Sequence, residues 1–343
     1  MRTINIKAGS GESNIYLGEK LENLRSYLPD GKKVVILTDA NILKHYAAQL
    51  QGFPVVEIGL GEKNKTMKTL EHIFEEFIRL EVDRSTFIVA VGGGIVCDVT
   101  GYAASSFMRG LKFGFVSTTL LSQVDASVGG KNGVNFQGYK NMVGVFAQPE
   151  FVICDVSMFK TLDRKEFISG FAEIIKAAAI RDKELFAYLE TNAEKALNLD
   201  EEVLEKLIYE SVRIKATVVQ NDEKEKGERR ILNFGHTFAH SIEKNLGILH
   251  GEAVSIGMVL ASKASVKLGM LSQTEADRIE KVLVDYKLPV KLLLDKNKVY
   301  DAVLKDKKRD GDYINLIVLS GLGNGVVQKV HIKDMEEIVN DLC

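Results

Sequence analysis

Three cysteines in 343 residues, at positions 97, 154 and 343, are too few, odd in number and too widely spaced for a disulfide framework. No CxxC pair exists to make a thiolate zinc site, and isolated thiols point to a reducing compartment, the cytoplasm by default. Charge of one sign is equally scarce in excess: 45 basic side chains face 47 acidic ones, a net charge of -2. That balance speaks against nucleic acid or an anionic membrane as partner, so any anion site must be local. No apolar run approaches the ~20 residues that span a bilayer. The first seven residues alternate like a strand and have no apolar leader core. Internal repeats and low-complexity stretches are missing too.

What is present has the balance of an ordinary globular protein, 45% hydrophobic and 27% charged, at a length that implies two domains. Residues 33–38 (KVVILT), 54–58 (PVVEI) and 87–91 (FIVAV) are short apolar runs of buried-strand type. Between them, residues 66–80 carry Met67, Leu70, Ile73, Phe74, Phe77 and Ile78 at helical spacing. Strands alternating with helices predict a parallel, Rossmann-like α/β sheet. From about residue 160 the texture is helical, over 172–189, 201–219, 235–245, 252–268 and 273–286, with 314–319 (INLIVL) the clearest strand. The expectation is an α/β domain over residues 1–158 and a mainly α-helical domain over 159–343.

Chemistry-bearing residues cluster in three places. The third strand runs into Gly92-Gly93-Gly94, where a backbone can approach a phosphate at a helix N-terminus. GGGIVCD is not the GxGxxG fingerprint, and a tight strand-to-helix turn is the plain alternative. Asp39, ending the first of these strands, sits where an acidic side chain commonly receives a ribose hydroxyl; Glu62 and Lys65 (GEKNK) prove nothing alone. Next, residues 117–131 (STTLLSQVDASVGGK), followed by Tyr139-Lys140-Asn141, hold too many small and polar residues for a core. With Arg109, Lys215, Arg229 and Lys307, they suggest an anionic small substrate.

The third cluster is a metal constellation. Three of the six histidines, His236, His240 and His250, fall within fifteen residues. Upstream, Glu173 and Lys176 share one face of an apolar helix, for which a structural ion pair is the alternative. Two imidazoles and one carboxylate leave a position open, as in a catalytic zinc site, and the spacing is not HExxH. Spacing leaves open which two histidines ligate.

GEKNK, GGGIVCD, MRG, STTLLSQVDASVGGKNGVN, YKNMVG, GFAEIIK, LNFGHTFAH, HGEAV and DKK occur in the order of the 3-dehydroquinate synthase family, which the chain resembles from about residue 39 to about residue 310. The resemblance implies a lyase of the shikimate pathway, hence of chorismate and aromatic amino acid biosynthesis. It would convert 3-deoxy-D-arabino-heptulosonate 7-phosphate to 3-dehydroquinate and phosphate. Transient oxidation by NAD, phosphate elimination, re-reduction and intramolecular aldol closure are the implied steps. It assigns a divalent metal, zinc or cobalt, to Glu173, His236 and His250. It assigns NAD to Asp39, Glu62, Lys65, Gly93, Gly94, Asp98, Thr118 and Thr119, with Lys140 close by. Asp125, Lys131, Asn141, Lys176, Lys215, Arg229, Asn233, His240 and Lys307 are expected around the substrate, with Lys308 as the alternative to Lys307. It further implies a homodimer in which Arg109 reaches the neighbouring subunit's substrate. Two departures stand out: Cys97 where the family commonly has Gly, and Ser117 where Pro usually precedes the two threonines. Rival readings are another sugar-phosphate cyclase, whose substrate lacks the carboxylate, and a metal-dependent alcohol dehydrogenase of the same superfamily.

Overall fold

The structure is a computed structural model, and it describes residues 1–291 and 309–334, with the side chains of residues 240, 241, 244–246, 309 and 310 also outside that description. Contacts divide the chain into two compact units, Met1–Asp163 with Lys215–Glu223, and Arg164–Ile214 with the residues from Lys224 onward.

The first unit is built on β1 (Arg2–Ala8), β2 (Gly11–Leu17), β3 (Val34–Asp39), α1 (Ala40–Tyr46), β4 (Val55–Ile58), α2 (Met67–Arg79), β5 (Phe87–Gly92), α3 (Gly94–Ser106), β6 (Phe113–Ser117), β7 (Lys131–Phe136), β8 (Tyr139–Phe146) and β9 (Phe151–Cys154). Seven strands form one sheet in the order β1-β2-β9-β6-β5-β3-β4. All neighbours are parallel except the β1–β2 hairpin. β3 and β5 are buried on both faces, which is why they read as unbroken apolar runs. Val34, Ile36, Val89, Val91 and Ile153 share one core with Leu21 and Leu24. In α2, Thr66 caps the N-terminus by accepting from the Thr69 amide, and Leu70, Ile73 and Phe77 are buried. Met67 and Ile78, though in the same apolar spacing, stay exposed.

One expectation needs correcting here. Residues 117–131 are largely core: Thr118, Leu120, Ser122, Gln123, Val124, Ser127 and Val128 are buried. Most of their donors are satisfied, Ser122 Oγ donating to the Thr119 carbonyl, Ser127 Oγ to the Ser122 carbonyl and Gln123 Nε2 to the Ser117 and Asp155 carbonyls. A polar composition therefore did not mean an exposed loop. Residues beyond it form the β7–β8 hairpin.

The second unit holds α4 (Arg164–Arg181), α5 (Lys183–Leu197), α6 (Glu201–Asn221), α7 (His236–Leu246), α8 (His250–Lys267), α9 (Gln273–Asp285), and an antiparallel sheet of β10 (Arg309–Asp310), β11 (Tyr313–Leu319) and β12 (Gly325–His331). Helix α6 continues into the first unit from Lys215. The single helix expected over 172–189 is two helices. Asp182 ends α4 and caps α5, its carboxylate accepting from the Glu184 and Leu185 amides at 3.0 Å each. Residues 250–251, expected before a helix, begin α8, because Glu252 closes a capping bond to the Leu249 amide at 3.0 Å. α4 and α8 are buried nearly all round and form the centre of this unit. Phe167 packs edge-on against Phe171, and Phe171 tilted against Tyr286, each phenylalanine burial contributing roughly 1.5–3 kcal/mol.

Candidate active site

The chain passes from β3 to β4 on one side and returns to β5 on the other, so the sheet's switch point lies between β3 and β5. Ligands of open α/β sheets bind outside the carboxyl ends of strands at such a point. Asp39 ends β3, the triple glycine ends β5, and Ser117-Thr118-Thr119 ends β6. Register brings these ends side by side, with the Thr118 amide donating to the Gly92 carbonyl at 3.0 Å. Asp39 also caps α1, accepting from the Asn41 and Ile42 amides, and burial pushes its carboxyl up from the ordinary range despite those bonds. The glycines are required by close approach. A Cβ on Gly93 would lie 2.9 Å from Thr119 Cγ2, and one on Gly94 would lie 2.8 Å from Ala126 Cβ.

Beside this edge, the Lys65 ammonium lies 2.5 Å from Asp98 Oδ2 on α3 and 2.5 Å from Asn141 Oδ1 on β8. Burial pushes the Asp98 carboxyl up even against that ammonium. Lys140 reaches Glu62 at 4.0 Å. Asp125 sits in a π-helical turn, Ser122–Ala126, a widening that often marks functional positions. Its carboxylate and carbonyl both accept from Lys215 Nζ on α6. Lys131 is exposed where β7 begins. The two departures from the family pattern touch each other: Cys97 Sγ lies 4.0 Å from Ser117 Oγ, both buried. Arg109 is exposed, and it and Met108 hold the left-handed conformation in succession, φ 71° and 48°.

In the second unit, Glu173, His236 and His250 each offer an atom within 4.8 Å of the others. Glu173 Oε1 is 3.6 Å from His236 Nε2 and 3.2 Å from His250 Nε2, while Oε2 pairs with Lys176. The ion pair and the cluster thus coexist on one carboxylate. Each imidazole is oriented through its other nitrogen: His236 Nδ1 by the Phe234 carbonyl at 3.3 Å, His250 Nδ1 by Glu243 at 3.8 Å. That is how metal-bound histidines are normally held, and an N2O donor set suits zinc or cobalt. Burial would raise Glu173, but Lys176 and His250 override it and hold the carboxyl down at about 2. Burial would lower His250, but Glu173 and Glu243 push it up to about 9.

Backbone proximity sets this geometry. A Cβ on Gly251 would fall 1.9 Å from the Ser169 carbonyl oxygen, and Ser169 Oγ accepts from the Gly251 amide at 3.0 Å. A Cβ on Gly257 would fall 2.2 Å from the Gly235 carbonyl oxygen. These glycines let the α4, α7 and α8 backbones approach closely where the three ligands meet. Of the other expected substrate residues, Arg229 is buried and Asn233 Nδ2 donates to Glu225 and to the Arg230 carbonyl. The His240 side chain, Lys307 and Lys308 lie outside the described residues. Sequence reasoning missed Glu243, Ser169 and Asn135. The first lies one turn beyond His240, and the last ends a motif already singled out, GGKNGVN.

The fold is shared with solved sugar-phosphate cyclases. A 2-deoxy-scyllo-inosose synthase complexed with carbaglucose-6-phosphate, NAD+ and Co2+ superposes with a TM-score of 0.89 at 28% identity, covering 99% of this chain and 100% of that one. The 2-epi-5-epi-valiolone synthase of Streptomyces hygroscopicus, with NAD+ and Zn2+ bound, gives 0.88 at 27%, covering 100% and 99%. Residues 55–169 match the 3-dehydroquinate synthase N-terminal model and residues 170–309 the C-terminal model. The 3-dehydroquinate synthase of Campylobacter concisus is 42% identical over 95% of this chain and 94% of its own. The chain belongs to the 3-dehydroquinate synthase family.

Proposed function

We propose that this chain converts 3-deoxy-D-arabino-heptulosonate 7-phosphate to 3-dehydroquinate and phosphate, using NAD and one zinc or cobalt ion. The convergence of Glu173, His236 and His250 in a member of this family carries the reading. Once bound, NAD would supply hydride-transfer chemistry and the metal would supply Lewis acidity. The chain's part is to hold and orient. Glu173, His236 and His250 hold the metal. Asp39, Glu62, Lys65 and Asp98, with the amides about Gly93 and Gly94, take the nucleotide. Lys131, Lys215 and Arg229 supply cations for a substrate bearing both a phosphate and a carboxylate, and Asp125 and Asn141 meet hydroxyls. Lys176, paired with Glu173, is assigned to the same substrate, and the family resemblance assigns Asn233, His240 and Lys307 to it as well. Lys140, Thr118 and Thr119 border the nucleotide.

The reading includes a homodimer. The exposed, strained Arg109 turn supports a role for that guanidinium at a neighbouring subunit. It also places the enzyme in the cytoplasm, which the free, buried thiols of Cys97 and Cys154 support. The test is to supply NAD, zinc and the heptulosonate phosphate, then follow phosphate release and NADH absorbance together. Phosphate release without net NADH is expected. Sustained NADH accumulation would mean a dehydrogenase, and turnover of glucose 6-phosphate instead would mean another cyclase.

A further inference from the structure

The β7–β8 hairpin breaks register at one residue. Val134 pairs with Val143 and Phe136 with Tyr139, so Asn135 alone faces Lys140, Asn141 and Met142. A bulge of this kind bends the strand and re-aims side chains. Here it carries Lys140 and Asn141, two residues that the proposed function places at the nucleotide and the substrate.

Asn135 uses every polar group it has on this region except its carbonyl. Its amide donates to the Lys65 carbonyl at 2.8 Å, making an isolated bridge with Thr66. Its side-chain Nδ2 donates to Glu62 Oε1 at 2.7 Å. Its Oδ1 accepts from the Asn141 amide at 2.9 Å. That last bond matters because Asn141 is in the left-handed region at φ 49°, where an L-residue needs support. Held so, Asn141 presents Oδ1 to Lys65 Nζ, which is shared with Asp98. One amide side chain therefore ties the 62–66 turn to the bulge.

We infer that Asn135 is a positioning residue for the nucleotide site, acting through Glu62 on one arm and through Asn141 and Lys65 on the other. The inference rests on the reading that these residues line that site. It acts on no substrate atom itself. Aspartate at this position keeps the acceptor for Asn141 but loses the donor to Glu62 and sets two carboxylates together, so size alone does not preserve the function.

The test titrates NADH, by its fluorescence, into the zinc-loaded full chain and into Asn135→Ala, Asn135→Asp, Glu62→Ala and the Asn135→Ala/Glu62→Ala double variant. Asn135→Ala is expected to weaken binding about tenfold, with a melting temperature within about 4 °C of the parent. In the Glu62→Ala background the same change is expected to cost about threefold or less, because one arm is already gone. Asn135→Asp, which covers the case of an alanine variant that does not fold, is expected to lose affinity several-fold. Undiminished affinity in Asn135→Ala or Asn135→Asp, or a full tenfold cost in the Glu62→Ala background, would overturn the inference. A parent chain that does not bind NADH at all would remove the nucleotide reading itself, which is a different result.

Discussion

Gly251 lies against Ser169, amide to hydroxyl at 3.0 Å, with no room for a Cβ before the Ser169 carbonyl. His250 precedes Gly251 as the first residue of α8, and Glu173 follows Ser169 by one turn of α4. The contact therefore sets where the imidazole meets the carboxylate. Gly251→Ala must push the start of α8 away from α4. Expected are a destabilisation of about 1–3 kcal/mol from overpacking and a loss of metal affinity of roughly 10–100-fold. Thermal melting and a cobalt titration followed by visible absorbance check the two separately. Unchanged cobalt affinity would show that the helix spacing does not govern the site.

Glu243 faces His250 Nδ1 at 3.8 Å on the side away from Glu173. Glu243→Gln removes the charge and keeps the shape. Metal affinity is expected to fall by about 10–100-fold while the fold survives. Competition of the loaded variant against a coloured chelator measures it, and parental affinity would exclude Glu243 from orienting the imidazole.

Cys97 Sγ and Ser117 Oγ, at the two positions expected to depart from the family pattern, lie 4.0 Å apart. Cys97→Ala and Ser117→Ala are expected to be non-additive in stability by about 0.5 kcal/mol or more, as contacting residues are. Strict additivity would mean the two departures are independent. Burial pushes both the Cys97 and Cys154 thiols up, so neither is expected to react with a thiol reagent until the chain unfolds.

Glu275 links the start of α9 to the β11–β12 turn. It accepts from the Leu322 amide at 3.0 Å, and from the Ser272 amide and hydroxyl at 3.2 and 2.7 Å. The Leu322 bond first, then Ser272, holds its carboxyl below the ordinary value of 4.5. A depressed carboxyl contributes stability that is present above the unfolded-state value and is lost as pH falls through the folded one. The melting temperature of the parent is therefore expected to exceed that of Glu275→Gln at pH 7. The gap should close as pH drops below about 4.5. A gap that stays constant into acid would show that the carboxylate contributes nothing through its charge.

The parallel strands were legible because full burial demands unbroken apolar runs, as in residues 34–37 and 87–91. The break at Asp182 was hidden because the apolar spacing of 172–189 continues across it, and only the capping bonds reveal the stop. The 117–131 segment misled for the opposite reason. The Ser122 and Ser127 hydroxyls donate to carbonyls a few residues away, so polarity does not bring it to the surface.

By itself, the order of local motifs determined the family and the set of candidate side chains, because each motif is a short-range chemical requirement written into adjacent residues. Spacing could not decide which histidines pair with Glu173, nor that Asn135, in the β7–β8 bulge, supports a turn 69 or more residues before it in the chain. Those relations depend on how closely helix and strand backbones approach. That distance is set by packing among Ser169, Gly251, Gly235 and Gly257, and by register between β7 and β8, so it exists only once the chain has folded.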